Sequence, residues 1–253
     1  MTTTIRELLA SNRDHAAAEQ SRFDHLQDGQ TPEAVSVCCS DSRVLQDHLW
    51  GVDEPGRLFT VGTIGNRVLQ HTEEGEVVVA GDVLYPLVNT GTDTAMVVGH
   101  TGCGAVTATF NALTGSSQGE SGATGNAASA GGDDAKTAAA DEAVPPGIRA
   151  CIDLLGPQLR PGVEALPAGI DRSAAIDRLV EYNVDRQIDC LRESDDVPAD
   201  TDIVGVVYDF QDVYDGRRGE VHVVNVDGET DAETLRSAHP EVADRIDRLA
   251  DLG

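Results

Sequence analysis

The sequence predicts an α/β fold with a mainly parallel central sheet flanked by helices, an N-terminal helical arm and an additional C-terminal edge strand. Three short apolar segments, at residues 34–38, 59–61 and 95–98, have the composition of buried strands, and helical segments alternate with them. The chain has 253 residues, of which 40% are hydrophobic, so it can bury a substantial core. We therefore expect residues 1–253 to form a single domain.

The first predicted element is the helical arm, over residues 5–23. Its composition indicates one amphipathic segment with a break near Asn12 and Asp14. Between the second and third strands, residues 77–88 suit a helix that faces the sheet. Pro86 lies inside this segment, and a proline ring clashes with the carbonyl four residues earlier, so we expect the helix to kink or end there.

The remaining elements continue the alternation. The third strand is followed by a predicted helix over residues 105–113, and a longer helix is predicted over 171–191. The longer helix carries its apolar side chains on one face, namely Val180, Val184, Ile188 and Leu191. Residues 203–208 and 221–226 complete the sheet as strands, and two glycines flanking two arginines at 216–219 indicate a hairpin turn between them.

One segment departs from globular composition. Residues 115–143 are rich in Gly, Ser, Ala and acidic residues and contain no aromatic residue, so they cannot bury enough apolar surface to offset the entropy of ordering. We interpret this segment as a flexible surface insertion. A lid over a functional site is the alternative, although low-complexity loops are usually solvated.

A candidate metal site is formed by Cys39, His100 and Cys103. Two thiolates and one imidazole are the three ligands that a catalytic zinc takes from a protein, with the fourth position left for water or substrate. Cys39 and His100 each follow a predicted strand, and ligands collect beyond the carboxyl ends of parallel strands. The alternative is two unrelated thiols near a core histidine, which the ligand count and spacing disfavour.

Asp41 and Arg43 follow the first thiolate by two and four residues. A carboxylate beside a metal can orient or displace a bound water, and a guanidinium can hold that carboxylate through a forked, charge-assisted pair. Asp41 could instead serve only as a turn residue, because Asp readily bonds its own backbone. Its placement beside Arg43 favours a functional role.

The run Cys-x-Asp-x-Arg followed by His-x-x-Cys resembles the zinc motif of the β-class carbonic anhydrases, and weaker similarities extend from about residue 30 to 226. The resemblance implies one Zn²⁺ per chain, held by Cys39, His100 and Cys103, and reversible hydration of carbon dioxide to bicarbonate by a zinc-bound hydroxide. It implies that Asp41 orients the hydroxide and that Arg43 keeps Asp41 ionised. In some family members this Asp instead ligates the zinc in a closed, inactive state.

The resemblance also bears on substrate binding and assembly. Gln30, Phe59 and Tyr85 match residues that line the carbon dioxide pocket in plant-type members of the family. That pocket lies at a dimer interface, so the resemblance implies a homodimer or tetramer. For Gln30, an exposed loop position before Pro32 is an equally good interpretation, because Gln is mostly exposed in proteins.

Three other functions remain open at this stage. Relatives with the same ligands and fold hydrolyse carbon disulfide or carbonyl sulfide, so those linear molecules are alternative substrates. A non-catalytic zinc-binding module would use Asp41 as a permanent fourth ligand. A thiol redox protein would pair Cys39 with Cys38 or Cys103, but the chain has no Cys-x-x-Cys motif.

The charge of the chain limits its partners. The formal net charge is -26, which argues against binding to nucleic acid or to an anionic membrane, so the expected partner is a small-molecule substrate. Lys136 is the only lysine, so nearly all positive charge is arginine, a pattern that resembles salt-adapted, haloarchaeal-like proteins. An ordinary acidic, soluble protein is the alternative. No secretory or membrane-spanning segment is evident, and we expect a cytoplasmic protein whose thiols stay reduced.

The acidic surface generates a first prediction. Its self-repulsion is screened only at high ionic strength, so we expect the protein to lose its fold on dialysis from molar salt into dilute buffer. Far-UV circular dichroism at both ionic strengths measures this loss. A spectrum that does not change on dialysis would contradict salt adaptation.

Overall fold

The computed structural model describes residues 2–115, 145–249 and 252, so the predicted insertion at 115–143 lies outside the described residues apart from Gly115. The strands are β1 (Ala34–Cys39), β2 (Leu58–Thr63), β3 (Leu69–His71), β4 (Val77–Val79), β5 (Thr94–His100), β6 (Asp202–Asp209) and β7 (Glu220–Val226). The α-helices are α1 (Thr3–Glu19), α2 (Gln46–Leu49), α3 (Gly81–Asn89), α4 (Gly104–Thr114), α5 (Pro146–Ala165), α6 (Arg172–Arg192) and α7 (Ala232–Ala238). Shorter 3-10 helices span Gln20–Leu26, Ile64–Asn66 and Pro240–Arg245.

The central sheet has five strands in the order β2-β1-β5-β6-β7. The first four strands run parallel, and β7 pairs antiparallel with β6 at the edge. The predicted α/β class, with a mainly parallel sheet and a C-terminal edge strand, is therefore confirmed. β3 and β4 form a separate antiparallel pair.

The close packing of α6 on the sheet explains why its apolar face is buried as predicted. Val184 and Ile188 are fully buried against β5 and β6. A Cβ at Gly99 of β5 would lie 2.8 Å from Val184 Cγ2, and one at Gly205 of β6 would lie 2.5 Å from Ile188 Cδ1. The two glycines therefore allow the helix to approach the sheet more closely than side-chain-bearing residues would.

Two helix predictions need correction. The predicted break near Asn12 and Asp14 is wrong, because α1 runs without interruption to Glu19 and becomes a 3-10 helix only at Gln20. Both side chains are exposed there, and an exposed Asn or Asp costs a helix well under about 1 kcal/mol.

The predicted helix at 77–88 is also wrong at its start. Its first three residues are the valines of β4, because β-branched side chains favour the strand pairing with β3. The helix begins at Gly81 and continues through Pro86 to Asn89. The Pro86 carbonyl accepts hydrogen bonds from the amide and hydroxyl of Thr90, at 3.2 and 2.8 Å, so this helix end remains satisfied.

Helix α5 was not predicted, because Pro157 and Pro161 interrupt its helical pattern. Its formation is explained by the burial of Leu155 and Leu159, which are both fully inaccessible to solvent. None of the described helices is long and apolar enough to cross a membrane.

The link between β6 and β7 is longer than the predicted hairpin turn, since it extends from residue 210 to 219. Its first part is organised by Asp209, whose carboxylate accepts four backbone amide hydrogen bonds at 2.8 to 3.0 Å. The donors are Gln211, Asp212, Val213 and Tyr214. Although burial opposes it, these amides lower the pKa of Asp209.

Glu181 of α6 connects this link to the C-terminal segment. Its Oε1 accepts hydrogen bonds from the Tyr214 hydroxyl at 2.6 Å and the Leu249 amide at 2.9 Å. The side chain is fully buried, and burial raises its pKa to about 7 despite both hydrogen bonds. A carboxyl group with a raised pKa favours the folded state only while it is protonated.

The raised pKa of Glu181 predicts a pH-dependent contribution to stability. This contribution is full below about pH 4.5, the ordinary Glu pKa, and is lost as the pH rises through about 7. Glu181→Gln should therefore match the parent protein near pH 4.5 and exceed its stability at about pH 8, by at most roughly 3 kcal/mol.

Urea unfolding at constant high salt measures both proteins across this range. The exposed Glu73→Gln is the matched control, because it makes the same substitution without removing a buried carboxyl group. If the free energy of unfolding changed with pH equally in Glu181→Gln and in the parent, the raised pKa of Glu181 would be contradicted.

Candidate metal centre

The three predicted metal ligands converge at one edge of the sheet. Cys39 is the last residue of β1 and His100 is the last residue of β5, and these neighbouring strands run parallel, so both side chains are delivered to the same edge. Cys103 follows in the next turn. The two Sγ atoms are 4.0 Å apart, and the three potential ligand atoms all lie within 4.8 Å of one another. All three residues are buried.

The orientation of the His100 ring suits a metal ligand. Its Nδ1 lies 3.0 Å from the Thr101 carbonyl, which can only accept, so Nδ1 carries the proton. Nε2 therefore presents a lone pair. This nitrogen is buried and has no hydrogen-bond partner of acceptable geometry among the described residues. An orphaned imidazole nitrogen beside two thiols is the donor set that a zinc ion satisfies.

The two thiols share their protons unequally. The hydrogen bond from the Cys103 thiol lowers the pKa of Cys39 to about 4, although burial opposes this shift. The same hydrogen bond, followed by burial, raises the pKa of Cys103. One thiolate therefore forms readily, and binding of a metal by both sulfurs would displace the second proton. Cys103 also caps the N-terminus of α4, where amide dipoles favour negative charge.

The predicted pairing of Asp41 with Arg43 is present. Arg43 Nε and Nη2 donate to the two carboxylate oxygens of Asp41 at 2.8 and 2.7 Å, and the Arg43 amide adds a third bond at 2.9 Å. The hydrogen bonds from Arg43 lower the pKa of Asp41 to about 2, so it is an anion throughout the neutral range. Asp41 Oδ2 lies 3.9 Å from His100 Nε2, which places the carboxylate beside the metal position.

A second set of residues supports the turn between His100 and Cys103. The Thr101 hydroxyl donates to Asp209 Oδ1 at 3.3 Å, and the Thr101 amide donates to the Tyr208 carbonyl at 3.1 Å. Gly102 has φ +61°, and Asp177 of α6 accepts a hydrogen bond from its backbone amide. Burial raises the pKa of Asp177 to about 6 despite this bond.

The sequence alone did not indicate a role for these supporting residues or for Phe210. Phe210 follows β6, and its ring contacts both Arg43 and His100. One signal was available, since Asp209 and Phe210 come at the end of a buried strand that was itself predicted. The position of that strand next to β5 could not be read from the sequence.

Gln30, Phe59 and Tyr85 do not join this cluster within one chain. Phe59 pairs with Val35, four residues before Cys39, which corresponds to about 13 Å along the strand. The rings of Phe59 and Tyr85 contact each other at a centroid distance of 6.1 Å, and Tyr85 is 51% exposed. Gln30 is exposed. Their role in substrate binding stays a prediction.

Comparison with known proteins identifies relatives. The carbonic anhydrase family profile matches residues 34–219, well over half of the chain. A carbonic anhydrase of Pseudomonas aeruginosa is 35% identical over 106 residues, which cover 42% of this chain and 47% of that protein. The chloroplastic Beta carbonic anhydrase 5 of Arabidopsis thaliana is 30% identical over 86 residues, covering 34% and 28%. The aligned parts thus span less than half of either relative.

Solved structures share the fold. Tetrameric β-carbonic anhydrases from Sordaria macrospora superpose with a TM-score of 0.64 at 19% identity, covering 88% of this chain and 98% of theirs. The Coccomyxa β-carbonic anhydrase in complex with acetazolamide gives 0.60 at 22% identity, covering 93% and 92%. The family match over residues 34–219 shows that the chain belongs to the carbonic anhydrase family, and its fold is that of solved β-carbonic anhydrases.

Proposed function

We propose that this protein is a zinc-dependent enzyme that catalyses the reversible hydration of carbon dioxide to bicarbonate and a proton. The observation that carries the proposal is the unsatisfied, buried Nε2 of His100, which faces two thiols and an ionised carboxylate. A buried nitrogen without a partner is costly unless a ligand satisfies it. Membership of the carbonic anhydrase family supports this chemistry for the site.

Cys39, His100 and Cys103 would hold one Zn²⁺ per chain. When bound, such an ion lowers the pKa of a coordinated water to about 7 and so supplies a nucleophile at neutral pH. The protein would contribute three ligands and would leave one position for water or substrate, as in catalytic rather than structural zinc sites. The buried setting of the ligands strengthens electrostatic interactions at the centre.

Asp41 would accept a hydrogen bond from the attacking oxygen and thereby orient its lone pair toward the carbon atom of the substrate. It can do so because it remains anionic and because Oδ2, which accepts one hydrogen bond from Arg43 where Oδ1 accepts two, keeps a lone pair. The fork also restrains Asp41 from turning toward the metal. This restraint favours an open site over the alternative in which Asp41 is a permanent fourth ligand.

The substrate pocket and the assembly are part of the proposal. Gln30, Phe59 and Tyr85 would line a carbon dioxide pocket completed by a second copy of the chain, in a homodimer or tetramer. Support comes from apolar side chains that one chain leaves exposed on α1 and α3, among them Leu8 and Val88, at 61% and 59%. The Sordaria macrospora structures are described as tetrameric.

The working environment follows from the charge. With 44 acidic and 18 basic residues, the protein is proposed to act in concentrated salt in the cytoplasm, on a small, neutral or singly charged substrate. Activity and binding measurements therefore belong in molar salt.

Metal binding is the first consequence to check. The metal-free protein should take up one zinc per chain, and Cys103→Ser or His100→Ala should abolish stoichiometric uptake because three ligands are needed for tight binding. Chelator competition with elemental analysis measures this. Cys151→Ser is a matched control outside the cluster and should bind as the parent does. Full zinc retention by Cys103→Ser would contradict the proposed ligand set.

Turnover is the second consequence. Stopped-flow hydration of carbon dioxide by zinc-loaded protein should rise with pH between about 6.5 and 9, around the expected ionisation near 7. Asp41→Ala should keep its zinc yet lose on the order of 100-fold in turnover, because the group that orients the nucleophile is gone.

The exposed Asp47→Ala serves as the control and should retain full turnover. A fully active Asp41→Ala would remove the role of that carboxylate. Stoichiometric zinc without turnover at any pH would overturn the proposed activity, and carbon disulfide and carbonyl sulfide would be tested next.

A further inference from the structure

Phe210 lies between two groups of the candidate metal centre. The Arg43 guanidinium carbon sits 4.6 Å from the centroid of the Phe210 ring. The His100 ring stacks on the same residue with a centroid distance of 5.7 Å and an interplanar angle of 23°. One aromatic ring thus contacts both a metal ligand and the arginine that holds Asp41.

The backbone fixes the position of this ring. The Phe210 amide donates to the Thr101 hydroxyl at 3.3 Å, and that hydroxyl donates to Asp209. Tyr208 packs against the ring from β6 at a centroid distance of 5.9 Å. The turn that carries His100 and the loop that carries Phe210 are therefore bonded to each other, and the ring is held relative to the metal position.

Among the described residues, few others restrain Arg43. Its side chain is 48% exposed, and beyond the fork to Asp41 its further hydrogen bond, to the Gly102 carbonyl, is long at 3.4 Å. A long, exposed side chain has many rotamers, and a flat guanidinium gains both attraction and orientation by stacking on an aromatic face. Contact with the Phe210 ring is thus a main restraint on the orientation of the Arg43 guanidinium.

The position of the fork decides where Asp41 can go. Asp41 Oδ2 is only 3.9 Å from His100 Nε2, so a carboxylate freed from Arg43 needs a small rotation to reach a metal held at the cluster. A carboxylate oxygen is a competent zinc ligand and would fill the open position. A contact that restrains the Arg43 guanidinium therefore also restrains the Asp41 carboxylate to which it is bonded.

We propose that Phe210 is a positioning residue, which fixes the Arg43 guanidinium and through it keeps Asp41 out of the open coordination position. The inference rests on the proposed zinc site and adds a residue outside the ligand set to its control. Phe210 contacts neither substrate nor reacting atoms in this role, and it acts only through Arg43 and Asp41.

The test measures access to the open position without using turnover. Cobalt(II) replaces zinc, and thiocyanate binding is titrated by the visible absorption of the cobalt, in potassium sulfate because chloride would compete. Phe210→Leu keeps an apolar side chain but removes the aromatic face. It should weaken thiocyanate binding roughly two- to five-fold, which is the worth of one exposed cation–π contact. Phe210→Tyr keeps the face and should bind as the parent does.

A double variant separates positioning from a merely structural effect. In an Asp41→Ala background no carboxylate competes for the open position, so adding Phe210→Leu should leave thiocyanate affinity unchanged. If the loss persists in that background, Phe210 does not act through Asp41 and the inference is overturned. Equal affinity of the parent and Phe210→Leu would overturn it as well.

Two further measurements keep the result interpretable. Cobalt stoichiometry and far-UV circular dichroism show whether Phe210→Leu folds, and Phe210→Met takes its place if it does not. Carbon dioxide turnover of the zinc form is measured in parallel. Absent turnover with the expected thiocyanate pattern would refute the proposed activity alone, whereas normal turnover with unchanged affinities would refute the role of Phe210 alone.

Discussion

The close contact between α6 and the sheet is the constraint on which the site depends. Gly99 of β5 and Gly205 of β6 leave room for Val184, and a Cβ at either glycine would clash with that helix. Protein interiors are close-packed, so even one methyl group added at either glycine would displace α6 and the side chains packed against it. Because Gly99 immediately precedes His100, this packing fixes the backbone position and direction of His100 at the end of β5.

A network of buried polar groups transmits that constraint to the surrounding loops. Asn183 and Gln187 of α6 bond to the Gly65 carbonyl at 3.0 Å and the Val68 amide at 2.8 Å, which holds the segment after β2. Asp209 accepts hydrogen bonds from backbone amides of the segment that follows β6. Each of these polar side chains has partners, so its burial stabilises one arrangement of the loops instead of weakening the core.

Charge is used differently at the site and on the surface. At the surface, the excess of acidic residues depends on solvent ions for compensation. At the site, one carboxylate is matched by one guanidinium in a geometry that leaves the anion ionised yet held. The two buried thiols and the imidazole nitrogen form the donor set that would hold the proposed zinc. The same chain thus combines an acidic exterior with a centre whose charges are paired locally.

The candidate ligand set and the Asp41–Arg43 pair could be predicted from sequence alone, because Cys39 with Asp41 and Arg43, and His100 with Cys103, each lie within a few residues of a strand end. The sequence also determined most strands and the buried face of α6, since a period in the pattern reports directly on burial. Where local signals were weak or opposed, at the N-terminal helix, the valines of β4 and the proline-containing α5, packing decided the outcome.

The residues that support the site are brought together by packing between segments that are distant in sequence. Asp209 and Phe210 meet the turn after His100 across more than 100 positions of sequence, because β6 lies beside β5 in the sheet. No local pattern encodes that neighbourhood, since strand order results from how the helices between the strands pack. The residues of the candidate metal centre could therefore be predicted from the sequence, whereas the residues that hold them in place could be identified only from the fold.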